Sequence, residues 1–359
     1  MNKSKKIRVL VVDDSAVIRR ILVRELSKDS MIEVVGTAID PYVARNKIVK
    51  LQPDVLTLDI EMPRMNGIIF LRKLMRYHPV PAVILSSIAE AGGKIALEAI
   101  DAGAVDVMCK PGSGISLEEV SVELVDKVKA AAQVQVKKTG GEERKIPIVK
   151  RIPAPCPLKD KVVVIGASTG GTQALQKVLM AMPPTMAPIL IVQHMPEHFT
   201  LSFAERLNRV CAIDVKEAVD GDELRTGRAL IAPGNKHMDL SSSGQSYRVR
   251  IKDGPLVSRH RPSVDVLFNS VARLLGPKAI GLILTGMGRD GSTGLKAMHD
   301  AGAVTLAQDE ASSVVFGMPK EAIALGAVDY VVSLEQIARR TIDLAALGKK
   351  QGRLQSAGR

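Results

Sequence analysis

Tryptophan is absent from this 359-residue chain, aromatic residues make up only 3%, and there are three cysteines. With so few rings the cores must be aliphatic, which argues against a base-stacking platform for single-stranded nucleic acid. Cys109, Cys156 and Cys211 are odd in number and far apart. They build neither a disulfide framework nor a C-x-x-C metal pair, which fits a reducing compartment. No window approaches the ~20 consecutive apolar residues that cross a bilayer. The opening MNKSKKIRVLVVDD has a basic start, but its apolar run is too short for a secretory signal and ends in two acids. A cytoplasmic protein with no direct membrane insertion is expected.

What is present is enough chain for two domains, each with its own core. Apolar residues at 46% and charged residues at 25% match a soluble globular protein. The net charge of +12 points at first toward nucleic acid. Its placement does not. Residues 1–8, 133–160 and 348–359 each carry a net +4, so these three segments hold the whole excess. Basic ends and linkers are ordinarily solvated, and no nucleic-acid partner is expected.

The first half alternates apolar runs with amphipathic stretches. IRVLVV (7–12), VVGTA (34–38), DVLTLDI (54–60), AVILSS (82–87) and VDVMCK (105–110) read as buried parallel strands, with a last helix over 117–132. Residues 133–159 lose this pattern. They cluster charge and carry Pro153, Pro155 and Pro157, as in a partly stiffened linker. A second α/β pattern begins at KVVVIGAS and continues through PILIVQH (188–194), RALIAPG (228–234) and AIGLILTG (279–286). YRVRIKD (247–253) reads as an exposed hairpin strand after an SSSGQS turn. The expected division is 1–132, a linker 133–159, a second domain 160–347 and a basic tail 348–359.

Asp13 and Asp14 follow the first strand, and Asp59 stands near the end of the third. In a doubly wound sheet these strand ends face the binding crevice. Converging carboxylates repel unless a cation sits among them, and an oxygen-rich site suits Mg²⁺. Lys110 adds a point charge able to pair with a phosphoryl group. Helix capping by Asp13 or Asp14 is the alternative. VVDDS, LDIEMPRMNG and CKPG at these separations resemble a response-regulator receiver domain, which implies a five-stranded, flavodoxin-like doubly wound fold. The resemblance implies that Asp59 accepts a phosphoryl group from a histidine kinase. It further implies that Asp13, Asp14, Asp59 and the Glu61 carbonyl hold Mg²⁺, and that Ser86 or the adjacent Ser87 follows the phosphoryl group. Val107 stands where many receivers carry an aromatic switch.

In the second half, GASTGG (166–171) sets Ser168 in a G-x-S-x-G between a strand and a helix. Such a serine is a nucleophile, part of an anion cradle, or a turn residue. QHMPEHF (193–199) and TGMGRDG (285–291) also follow predicted strands, so the three loops can meet at one sheet edge. Ser168 offers a hydroxyl, His194 an imidazole and Asp290 a carboxylate to orient it. The order Ser, His, Asp differs from that of α/β-hydrolases. The Met287 N–H is a candidate oxyanion donor. H-M-P-E-H also matches an inverted zincin pattern, but Pro196 opposes the helix that pattern needs. Histidines 78, 198, 237, 260 and 299 are expected to be surface or structural.

Together with APGNKHM (232–238) and RPSVDVLF (261–268), these segments resemble the catalytic domain of the chemotaxis protein-glutamate methylesterases/protein-glutamine glutaminases, the CheB family. The resemblance covers residues 161–347 and implies an α/β parallel-sheet domain with Ser168, His194 and Asp290 as its triad. Thr169 stands beside the nucleophile; Asn235 and Arg261 receive no role. It implies a phosphorylation-activated hydrolase acting on γ-glutamyl methyl esters, and on selected glutamines, of methyl-accepting chemoreceptors. Mg²⁺ in the receiver and no cofactor in the catalytic domain are expected. A receiver with a DNA-binding output and a nucleotide-binding adaptor are the rival readings.

Overall fold

The computed structural model describes residues 5–86, 90–110, 117–136, 161–243 and 246–347. Ser87, Pro111, Cys156, most of the expected linker and the basic tail lie outside them. The chain divides into two compact units, Met1–Pro147 and Ile148–Arg359.

The first unit alternates strand and helix: β1 (Ile7–Val12), α1 (Ala16–Leu26), β2 (Ile32–Ala38), α2 (Pro41–Leu51), β3 (Val55–Asp59), α3 (Gly67–Tyr77), β4 (Ala82–Ser86), α4 (Glu90–Asp101), β5 (Asp106–Cys109) and α5 (Leu117–Ala131). All five strands are parallel, in the order β2-β1-β3-β4-β5. Val9–Val12 and Val83–Leu85 are fully buried, because helices cover both faces of such a sheet. The strand order reverses between β1 and β3, which opens a crevice beyond their carboxyl ends. Asp13 and Asp59 stand there. α1 is capped by Ser15, whose Oγ accepts the Ile18 N–H at 3.4 Å. Capping therefore accounts for neither Asp13 nor Asp14.

The second unit runs β6 (Val162–Ala167), α6 (Gly171–Met180), β7 (Ile189–Gln193), α7 (Phe199–Val210), β8 (Asp214–Glu217), β9 (Arg228–Ile231), β10 (His237–Ser243), β11 (Ser246–Lys252), α8 (Val264–Leu275), β12 (Ala279–Ile283), α9 (Ser292–Asp300), β13 (Val304–Gln308), α10 (Met318–Ala324), β14 (Tyr330–Val332) and α11 (Leu334–Ala346). Seven parallel strands form one sheet, ordered β14-β13-β12-β6-β7-β9-β8. The antiparallel β10–β11 hairpin stands apart and joins α8 through the Leu240 N–H, which donates to Ser270 Oγ at 2.9 Å. As the scarcity of rings requires, the core is mainly Val, Leu, Ile and Ala, with Phe268 among its few aromatics. The sheet architecture is not the compact helix-turn-helix of a DNA-binding output.

Four strands escape the sequence reading. β8 is charged DVKE at an edge, β14 has three residues, VTLAQ in β13 is short and half polar, and HMDLSSS in β10 ends in serines that read as a turn. The expected SSSGQS turn is shorter than proposed, since Ser241–Ser243 belong to β10.

Gly170 ends the loop between β6 and α6 at φ +80°, where an added Cβ would lie 2.5 Å from Val314 Cβ. Gly288 has φ +85° with open space around it. Gly170→Ala should cost about 1–3 kcal/mol from backbone strain, plus the clash. Gly288→Ala should show the strain alone. Urea unfolding of both variants reads the difference; equal losses would remove the steric contribution.

Candidate functional site

Register sets up the second unit's site. Ala167 pairs with Gln193, and Gly166 with Ile283. Ser168 and His194 thus leave adjacent strands one residue beyond their ends, on backbones about 4.8 Å apart. Hydrogen bonds lock this edge. The His194 N–H donates to the Ala167 carbonyl at 3.1 Å, and the Ser168 N–H to that of Thr285 at 3.0 Å. Gln193 Nε2 donates to the carbonyls of Ser168 and His194 at 2.9 and 3.2 Å. Thr285 Oγ1 donates to the Thr169 carbonyl at 3.0 Å.

Ser168, His194 and Asp290 are all buried. His194 Nε2 lies 2.8 Å from Asp290 Oδ2. Its Nδ1 is buried with no partner among the described residues, so one ring nitrogen is engaged and the other open. The structure brings His194 and Asp290 together and sets Ser168 beside them; no Ser168 Oγ bond to the ring is present. Catalytic hydrogen bonds are often loose before substrate arrives. Met287 is half-buried three residues before Asp290, and its N–H makes no backbone bond among the described residues.

Asp290 is held from the other side by the start of α8. Ser263 Oγ donates to its Oδ1 at 2.7 Å, the Val264 N–H to Oδ2 at 2.7 Å, and the Asp265 N–H to Oδ1 at 3.2 Å. Ser263 occupies the N-cap position without capping the helix through its own side chain. The Asp290 carboxylate takes those orphan N–H groups instead, where the helix dipole favours negative charge. Burial raises the Asp290 pKa, but the His194 hydrogen bond and charge, with His260 and Ser263, outweigh it and the pKa is lowered. Buried Asp265, on the same first turn, goes the other way: burial chiefly raises its pKa, and the Asp290 charge adds to that. Asp290 is the carboxylate kept ionised.

Several contributors are absent from the sequence reading. His260, expected to be surface or structural, stacks on His194 with ring centroids 3.7 Å apart and planes 13° apart. The sequence alone gives no role to Gln193, Thr285 or Ser263. Ser263 before the apolar VDVLF is an ordinary helix-start signature, the one signal that points to a carboxylate-holding N-terminus. The zinc alternative fails on geometry. Residues 194–198 are not helical, His198 sits at φ +68°, and His194 Nε2 is taken by Asp290.

In the first unit, ligand oxygens of Asp13, Asp14 and Asp59 lie within 4.8 Å of one another. Asp13 and Asp59 are fully buried, while Asp14 is exposed. Lys110 Nζ lies 2.7 Å from Asp59 Oδ2 and 3.4 Å from Asp13 Oδ2. Arg19 pins the loop by donating to the carbonyls of Asp13 and Asp14 at 2.8 and 2.9 Å. The Glu61 N–H donates to Asp59 Oδ1 at 3.1 Å. Ser86 is buried at the end of β4, and its carbonyl accepts the Lys110 N–H at 2.9 Å. Burial pushes the Asp59 pKa up to about 6 despite Lys110, with the Asp13 charge assisting. Burial likewise raises that of Asp13. One lysine does not neutralise three carboxylates, so an all-oxygen donor set with residual negative charge fits a hard divalent cation. Val107 is buried in β5, and its N–H donates to Asp106 Oδ1 at 2.7 Å, beside the buried Lys127–Asp106 pair.

Residues 163–341 match the family model described as CheB methylesterase, and residues 9–121 that of the response regulator receiver domain. A Syntrophus aciditrophicus protein named protein-glutamate methylesterase/protein-glutamine glutaminase 2 is 56% identical over 93% of this chain and 97% of its own length. The chain belongs to the CheB methylesterase family. A Pectobacterium atrosepticum protein-glutamate methylesterase/protein-glutamine glutaminase is 50% identical over 96% of this CheB-family chain and 98% of its own. The crystal structure of the Thermotoga maritima CheB methylesterase catalytic domain, 39% identical, covers 51% of this chain and 98% of its own, with a TM-score of 0.51.

The acidic cluster gives this CheB-family protein a testable pH response. With the Asp59 pKa raised from 3.8 to about 6, the native state binds more protons than the unfolded chain between those values. The stability of the first unit should therefore fall as pH rises through that window and level off above it. Asp59→Asn should shrink the fall and raise the metal-free urea midpoint at about pH 8. Mg²⁺ should raise the wild-type midpoint at about pH 8 far more than at about pH 5. A midpoint climbing through the window in metal-free buffer would contradict the electrostatics.

Proposed function

We propose that this chain is a phosphorylation-activated serine hydrolase that converts γ-glutamyl methyl esters of chemoreceptor cytoplasmic helices to glutamate, and deamidates selected glutamines there. The observation that carries the reading is the buried His194–Asp290 contact at 2.8 Å beside a serine on the adjacent strand. Ser168 attacks the side-chain carbonyl, and its proton passes to His194 Nδ1, the nitrogen facing away from Asp290. Asp290 accepts from Nε2–H and stabilises the imidazolium. The Met287 N–H stabilises the oxyanion, and Thr169 stands beside the nucleophile. His194 returns the proton to the leaving methanol or ammonia, and water then resolves the acyl-enzyme, releasing glutamate. Each turnover on an ester adds a negative charge to the substrate helix, the form in which adaptation is written.

Residues 1–132 act as receiver, 133–159 as linker, 160–347 as catalytic domain and 348–359 as a basic tail. Asp59 accepts a phosphoryl group from a chemotaxis histidine kinase. Asp13, Asp14, Asp59 and the Glu61 carbonyl would hold Mg²⁺, which would supply positive charge against the phosphoryl group, while Lys110 pairs with the phosphoryl oxygens and Ser86 contacts them. No helix among the described residues is long and apolar enough to cross a membrane, and a cytoplasmic site of action facing receptor cytoplasmic helices is proposed.

Ser168→Ala should lower methanol release from methyl-labelled receptor cytoplasmic fragments on the order of a thousandfold or more, while Asp59 still takes up phosphate. Asp59→Asn should keep basal hydrolysis and lose stimulation by a small phosphodonor. Near-normal methanol release by the Ser168 variant, or nucleotide binding without hydrolysis, would reject the reading.

A further inference from the structure

His237 opens β10 and is buried, and both of its ring nitrogens are engaged. Nε2 lies 2.9 Å from the Pro255 carbonyl, which can only accept, so Nε2 carries the proton. The Ser263 N–H, which can only donate, points at Nδ1 from 3.3 Å. The two partners define one tautomer, with the lone pair of Nδ1 turned toward the start of α8. Ser263 in turn donates its hydroxyl to Asp290, and the next two backbone N–H groups do the same. A continuous chain of contacts thus runs from His237 through Ser263 and Asp290 to His194 Nε2.

The Pro255 side of the ring is anchored as well. Arg261 donates to the Gly254 carbonyl at 2.6 Å and to Asn235 Oδ1 at 2.9 and 2.7 Å. A Cβ on Gly254 would lie 3.2 Å from His237 Cδ2, so the segment lies close against the ring.

We infer that His237 is a positioning residue for ester hydrolysis: its Nδ1 acceptor sets Ser263, and through it the Asp290 carboxylate that orients His194. This rests on the reading of His194 and Asp290 as catalytic. His237 touches no reacting atom. Its contribution is the angle and distance at which Asp290 meets the imidazole, a quantity expressed only when His194 takes a proton. Loss of that alignment belongs in kcat, because substrate binding does not require it.

Two substitutions separate the nitrogens. His237→Asn can keep an acceptor near the position of Nδ1 but loses the reach to Pro255. His237→Gln can keep a donor near the position of Nε2 but loses the acceptor for Ser263. On the phosphorylated full-length chain with methyl-labelled receptor fragments, His237→Gln should lower kcat about 10- to 100-fold with KM within about twofold, as for other supporting-shell losses. His237→Asn should stay within about fivefold of wild type. The double variant His237→Gln/Ser263→Ala should be no worse than about twofold below the poorer single variant, because both losses act through Asp290. Circular dichroism fixes the folded fraction used to scale each rate. Equal losses in the Asn and Gln variants, losses that follow the folded fraction, or multiplied losses in the double variant would overturn the assignment. An Asp290→Asn variant run in parallel distinguishes the other failure: near-normal hydrolysis there would remove the triad reading on which the proposal stands.

Discussion

A carboxylate taken out of water must have its charge answered from nearby, and in the catalytic unit that requirement falls on Asp290. It lies almost wholly inside the protein and receives four donors: Ser263 Oγ, two N–H groups from the first turn of α8, and His194 Nε2. Three of the four come from one helix start, so the acid completes the helix as much as the helix completes the acid. Removing one partner of a buried charged pair typically costs about 3–5 kcal/mol, since the remaining charge is left unanswered. The β12–α9 loop, the α8 N-terminus and the β7 loop are therefore tied together by one side chain. His194 inherits its orientation from that knot, and stacked His260 limits the ring from its face.

The receiver obeys a different electrostatic rule. There the charges are left unbalanced. Asp13 and Asp59 sit buried against a single lysine, and the raised Asp59 pKa records the tension. Stability is given up where buried carboxylates outnumber their one lysine, so a cation bound among them would relieve a repulsion already present. Val107 brings no ring to β5, and its N–H is committed to Asp106, itself paired with buried Lys127. A rotating aromatic is not how this receiver carries its signal.

Much of this was legible in the residues. Central strands such as IRVLVV and VVVIGA stood out because a parallel sheet covered on both faces selects unbroken β-branched runs. GASTGG, QHMPEHF and TGMGRDG stood out because each joins a strand end to chemistry-bearing side chains. Edge strands were not legible. DVKE and YVV are too short and too exposed to show a pattern, and register with a neighbour rather than composition makes them strands. The same holds for the supporting shell. Gln193 acts through an amide aimed at two carbonyls, and His260 through a ring face against another ring. Such roles depend on distances between residues far apart in the chain, which local periodicity does not encode.

The groups proposed to react in the second unit sit at one end of the central strands, on turns that follow β6, β7 and β12. The opposite rim carries the connections that enter those strands and none of the proposed chemistry. New termini could be opened there by circular permutation, or a reporter spliced in, without cutting the loops that carry the proposed nucleophile and its relay.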